Sequence, residues 1–128
     1  MERAIDVYAI IHFTVVGLSH ILQPRAWVAF FVLLRERGAP GVFAIAFLTL
    51  AFGSIVAAFH NVWSGIPLVL TLIGWAQVVK GLIYFCFPAV ALRSLQMPTE
   101  KRANVFVVGG FAFLALAALL GYHLWSTA

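Results

Sequence analysis

A chain of 128 residues that is 64% hydrophobic and only 9% charged falls far below the roughly 25% charged residues of a water-soluble domain. A soluble globular domain is therefore excluded, lipid is the expected solvent, and the length allows one domain. The formal charge of +4 lies mainly in short connections between apolar runs, which points to membrane orientation rather than to a nucleic-acid partner, and the single cysteine, Cys86, leaves no disulfide framework or cysteine metal site within one chain.

The first apolar run, residues 4–22, is preceded by the mixed-charge Met1-Glu2-Arg3 and followed by "SHILQPRAW". No small-x-small cleavage site follows it, so it reads as a mature transmembrane helix rather than a signal peptide. Asp6 is expected at its outer rim. Tyr8, His12, Ser19 and Gln23 fall within a narrow arc at 100° per residue, with His20 further round. Pro24 then breaks the chain. The next run, "AWVAFFVLL" between Arg25 and Arg35, spans only ~14 Å as a helix and cannot cross. Trp27, Phe30, Phe31 and Leu34 lie on one side of it. This predicts a short interfacial helix over about 24–37, ending at Gly38, the alternative being a kinked extension of the first span.

The second span is expected over 40–62, with Thr49, Gly53 and His60 along one line. It runs into "HNVWSGIP", where His60, Asn61 and Trp63 read as an interfacial cluster: indole and imidazole rings combine an apolar body with a polar tip. The third span, 68–87, carries Gln77, Lys80 and Tyr84 on one broad side, with Gly74 and Gly81 close by. A charge at mid-helix costs roughly 2.5–3.5 kcal/mol on insertion scales. Lys80 is therefore either a snorkelling or structural residue or part of a functional polar stripe. The fourth span, 104–125, sets Gly110, Ala117 and Gly121 on one small-residue face, with His123 pointing away from it at the outer boundary.

Runs of this length satisfy their backbone in hydrocarbon as helices, not as ten-residue alternating strands. The fold class is all-α: four transmembrane helices in a bundle plus the short interfacial helix. Four spans put both termini and the 63–67 turn on one side with one basic residue, Arg3. The first and third connections hold Arg25, Arg35, Arg37, Arg93, Lys101 and Arg102. The positive-inside rule then places these connections in the cytoplasm and both termini outside it.

Catalytic chemistry finds little footing. No HExxH, paired carboxylates or glycine-rich phosphate loop occurs. A Ser-His-Asp arrangement would have to use Asp6, His12 or His60 and a serine such as Ser64, and the spacing does not support it. No catalytic residue and no metal ligand is assigned. No cofactor is expected: bis-imidazole haem ligation needs a histidine on each face of the iron. His60 and His123 match in depth, but His123 is off the packing face. His12 is deeper than His60 by ~9 Å along the axis, so haem is permitted only with tilt.

The run "HNVWSGIPLVLTLIGWAQVVKG", the "FP" at Phe87-Pro88 and "HILQPRAWVAFF" after the first span resemble small bacterial four-span integral membrane proteins of unassigned function. The resemblance covers most of the first three spans. It implies the four-helix topology and a bacterial inner membrane, and it brings no activity with it. The embedded Glu of small multidrug exporters and the CxxC of quinone-linked disulfide enzymes are absent. The leading functional expectation is an interaction or accessory subunit that self-associates or joins a larger membrane complex. The alternative is a small transporter or channel whose inner polar pocket is built from His12, Gln23, Gln77, Lys80 and Tyr84. A third reading is a haem- or quinone-binding subunit.

Overall fold

A computed structural model describes residues 1–94 and 103–128 of the chain; Lys101 and Arg102 of the third connection lie outside the described residues. Six helices follow one another there: α1 Glu2–Leu22, α2 Pro24–Glu36, α3 Ala39–Phe59, α4 Pro67–Cys86, α5 Pro88–Ser94 and α6 Ala103–Ser126. Four of them, α1, α3, α4 and α6, are long and apolar enough to cross a membrane; at 1.5 Å per residue each reaches about 30 Å or more. The all-α fold is as the sequence predicts.

Prolines set the helix starts. Pro24, Pro40, Pro67 and Pro88 each stand in the first turn of a helix, where the missing N–H costs no hydrogen bond and the fixed φ suits the helix. Between α2 and α3 the chain reverses at Gly38, with φ at 65°, a conformation open to glycine without steric cost.

The long helices associate as two antiparallel pairs, α1 with α6 and α3 with α4. Each pair is closed by glycines. A Cβ at Gly17 would come within 2.9 Å of the Gly110 carbonyl oxygen, and one at Gly110 within 2.6 Å of that of Gly17. In the other pair Gly53 faces the backbone of Gln77 and Val78, Gly74 faces Val56, and Gly81 faces Leu50. Such close approach maximises the dispersion contacts that hold helices together where lipid removes the hydrophobic drive. Of the face expected on α6, Gly110 and Ala117 are buried, whereas a Cβ added at Gly121 would meet nothing within 4 Å.

The two pairs touch each other sparingly, through α1 against α3 and α4, and α2 bridges them at one end. At the end bearing the termini, Ile5, Ala9 and Phe13 of α1 pack with Phe52 and Val56 of α3, Leu70 of α4 and Leu120 of α6. At the opposite, arginine-bearing end α2 is a strap. Its Trp27 stacks on His20 at 4.1 Å and its Phe31 on Phe106 at 5.5 Å, while its Leu34 joins Val42, Ile45 and Ala91. The apolar side of the expected interfacial helix is thus turned onto protein. The helix α5, where the sequence suggested only a connection, fills the space beside α3 and α4.

Replacing Gly110 by Ala drives a methyl into the Gly17 backbone and is expected to destabilise the fold by about 1–3 kcal/mol, the cost of overpacking. Gly121→Ala should stay within about 0.5 kcal/mol of wild type. Reversible unfolding in mixed micelles measures both.

Candidate functional site

The termini end holds the most unusual chemistry of the molecule. Helix α3 stops at Phe59, short of residue 62 where the sequence places the end of the span, and His60 caps it in an extended conformation, φ −139° and ψ 91°. That departure from the helix swings the imidazole inward. His60 is 0% exposed and Asp6 3%, so both are enclosed by protein at the end bearing the termini. His60 Nε2 lies 3.0 Å from Asp6 Oδ1, and His60 Nδ1 lies 3.0 Å from Thr71 Oγ1. The chain Asp6–His60–Thr71 ties α1 to the end of α3 and to α4, and so joins one helix pair to the other.

Thr71 organises the turn that returns the chain. Its hydroxyl oxygen accepts the Val62 N–H at 3.1 Å, and its O–H has the Val62 carbonyl at 2.8 Å, the nearest of the three carbonyls within reach. With its one proton directed there, Thr71 Oγ1 accepts from His60 Nδ1–H. His60 Nε2 and Asp6 Oδ1 then share one further proton, because two bare acceptors 3.0 Å apart in a low dielectric repel. Neither atom has a hydrogen bond from any other described group. The pair is therefore neutral overall, which is how an acid and a base persist in an apolar interior.

Acid, imidazole and hydroxyl in a row resemble a nucleophile triad, and three features separate this centre from one. The hydroxyl faces Nδ1 and the carboxylate Nε2, the reverse of the hydrolase order. Thr71 is 0% exposed, and its oxygen is enclosed by the Val62 backbone. The arrangement orients helices and holds a proton; it offers no approach to a substrate carbonyl.

Asn61 and Trp63, grouped with His60 in the sequence, go elsewhere. Asn61 Nδ2 donates to the Ala57 carbonyl at 2.6 Å and its Oδ1 accepts from Trp75 Nε1 at 2.9 Å, pinning the turn to α4. Trp63 is 61% exposed, as an interfacial anchor would be. The expected outer cluster is thus one buried residue, one bridging residue and one exposed ring.

The five residues expected to form an inner polar pocket are dispersed. Lys80 is exposed, with Nζ 5.3 Å from the centre of the Tyr84 ring. Gln77 lies beside Gly53 at the α3–α4 seam, and Tyr84 packs on the Leu34–Val42–Ala91 cluster. His12 lies against Phe52 with ring centres 4.5 Å apart. Gln23 lines a separate cleft of about 310 Å³ with Ser19 and Trp27, where Trp27 Nε1 donates to Ser19 Oγ at 2.9 Å. His20, nearby, places Nδ1 2.7 Å from the Val16 carbonyl.

Among the described residues no group of three or more His, Cys, Asp or Glu side chains is placed to hold a metal. Both nitrogens of His60 are engaged by Asp6 and Thr71, so an axial haem bond from His60 would require breaking that chain. The sequence carried one signal for the centre: Ile5, Ala9, Phe13 and Gly17 mark the packed side of α1, and Asp6 falls beside Ile5 on it.

Thr71→Val, which keeps the shape and removes the hydroxyl, leaves the Val62 groups and His60 Nδ1 without their partner and is expected to cost about 2–4 kcal/mol. Thr71→Ser, losing only a buried methyl, should cost about 1 kcal/mol; denaturant titration in micelles separates the two. Comparison with known protein families, with curated proteins and with solved structures finds no match to this chain.

Proposed function

We propose that this is a small multi-pass subunit of a bacterial inner membrane that works by association with other membrane polypeptides, its own copies included. Both termini would lie outside the cytoplasm and the arginine-bearing end within it. The orientation rests on Arg25, Arg35, Arg37 and Arg93 gathering at one end, with Arg3 at the other.

The observation that carries the reading is the outer side of α6. Only 17% of its apolar window is buried, against 44% for α3. On it Val108, Phe111 and Tyr122 are exposed along one line. Large apolar and aromatic side chains aligned on an unpacked helix face give a surface that another helix can pack against by van der Waals contact, which is what drives association in lipid. The polar groups of the spans support the same reading. Asp6, His60, Thr71 and Ser19 bond one another or their neighbours inside the protein, and Lys80 is directed outward rather than toward His12 or Gln23. A transport pathway has correspondingly little to line it.

Purified in a mild detergent or in nanodiscs, the protein is expected to run as a particle heavier than one 14.0 kDa chain. Phe111→Cys in a Cys86→Ser background should form an intermolecular cross-link in native membranes. A single-chain particle with no cross-link at position 111 would overturn the reading.

A further inference from the structure

The end bearing the termini also contains a cleft of about 440 Å³, lined among others by Glu2, Arg3 and Asp6 of α1, Ser64 of the turn and His123 of α6. Three separate parts of the fold converge on it. Gly65, with φ at 71°, turns the chain along its edge.

Asp6 makes this cleft a site rather than a surface dip. The residue is 97% buried by its 3% exposure, yet it lines the cleft. A carboxylate offers about four acceptor positions. Among the described residues one polar atom, His60 Nε2, stands within bonding distance of it. The carboxylate therefore keeps acceptor capacity in a low-dielectric setting, where a charge-assisted bond is strong. Glu2 is one helical turn earlier on the same side of α1, so two acids are stacked along the cleft. Arg3 supplies a cation at the same rim. With the Asp6–His60 pair neutral overall, Glu2 and Arg3 leave the cleft with no net charge but with a separated negative and positive part.

We infer that the cleft binds a small zwitterion: a primary ammonium group donates to Asp6 and Glu2 while a neighbouring anionic group meets Arg3. Phosphoethanolamine has this chemistry, either as the headgroup of a phospholipid or as a free solute. A quaternary choline group has the same charges and no N–H to donate. The inference concerns one chain and is independent of whether the protein associates with others.

The test compares phosphatidylethanolamine with phosphatidylcholine in nanodiscs of mixed composition, with bound lipids counted by native mass spectrometry. The expected result is a roughly tenfold preference for the ethanolamine lipid, the worth of one charge-assisted hydrogen bond. Glu2 is exposed, so Glu2→Gln folds normally; it should reduce the preference to less than about threefold without changing the unfolding temperature in pure phosphatidylcholine. Asp6→Asn should abolish the preference, with Glu2→Gln as the control for a fold weakened at Asp6. Free phosphoethanolamine that raises the unfolding temperature in detergent as much as the lipid does identifies a soluble ligand of the same chemistry. Equal retention of the two lipids together with no effect of free phosphoethanolamine overturns the inference, as does a preference that survives Glu2→Gln and Asp6→Asn unchanged.

Discussion

The proton shared by Asp6 and His60 is the constraint on which the joining of the two halves depends. In water, burying apolar side chains between α1 and α3 would supply the drive. In a bilayer the alternative to an apolar contact is a lipid tail, which is as apolar as the protein, so packing alone specifies little. A directional bond between a carboxylate and an imidazole does specify: at 3.0 Å it fixes the depth of α1 against the end of α3, and through Thr71 the depth of α4. The buried location that makes the ions costly to separate also makes the pair hard to break, since removing one partner strands the other in hydrocarbon.

Two means of holding helices are therefore divided between two tasks. Within each pair, glycines bring backbones together and dispersion does the work, as at Gly17 against Gly110 and Gly53 against Val78. Between the pairs, one end combines the Asp6–His60 bond with apolar packing of Phe13, Phe52 and Leu70, and the other is bridged by α2, whose Trp27 and Phe31 cover His20 and Phe106 of the α1–α6 pair while Leu34 packs on Val42 and Ile45 of α3. The denser contacts lie within the pairs and the sparser ones between them.

How much of this was legible in the sequence follows from the range of the signals. The four spans come from hydropathy summed over many residues, and their starts from proline chemistry at single positions, so both survive without knowledge of neighbours. The aromatic side of α2 was legible too, though not its destination, since periodicity tells which residues share a face and not whether lipid or protein covers it. The enclosure of His60 could not be read from helical phase, because the backbone leaves the helix after Phe59. Thr71 looked like an ordinary threonine eleven residues on; its role rests on a turn that only the folded chain defines. Lys80 drew attention because a mid-span charge is costly; its Nζ lies 5.3 Å from the centre of the Tyr84 ring, a contact within one helix that the i, i+4 spacing already offered. The helix α5 was too short for periodicity to register.

The joint and the cleft share one side chain, and this links them energetically. Asp6 faces His60 with one oxygen and lines the cleft as part of the same carboxylate. A donor arriving from the cleft as inferred above would bond the same carboxylate that His60 Nε2 engages. Were the cleft occupied as inferred, the bound group and the α1–α3 joint would thus share Asp6 and could not be altered independently.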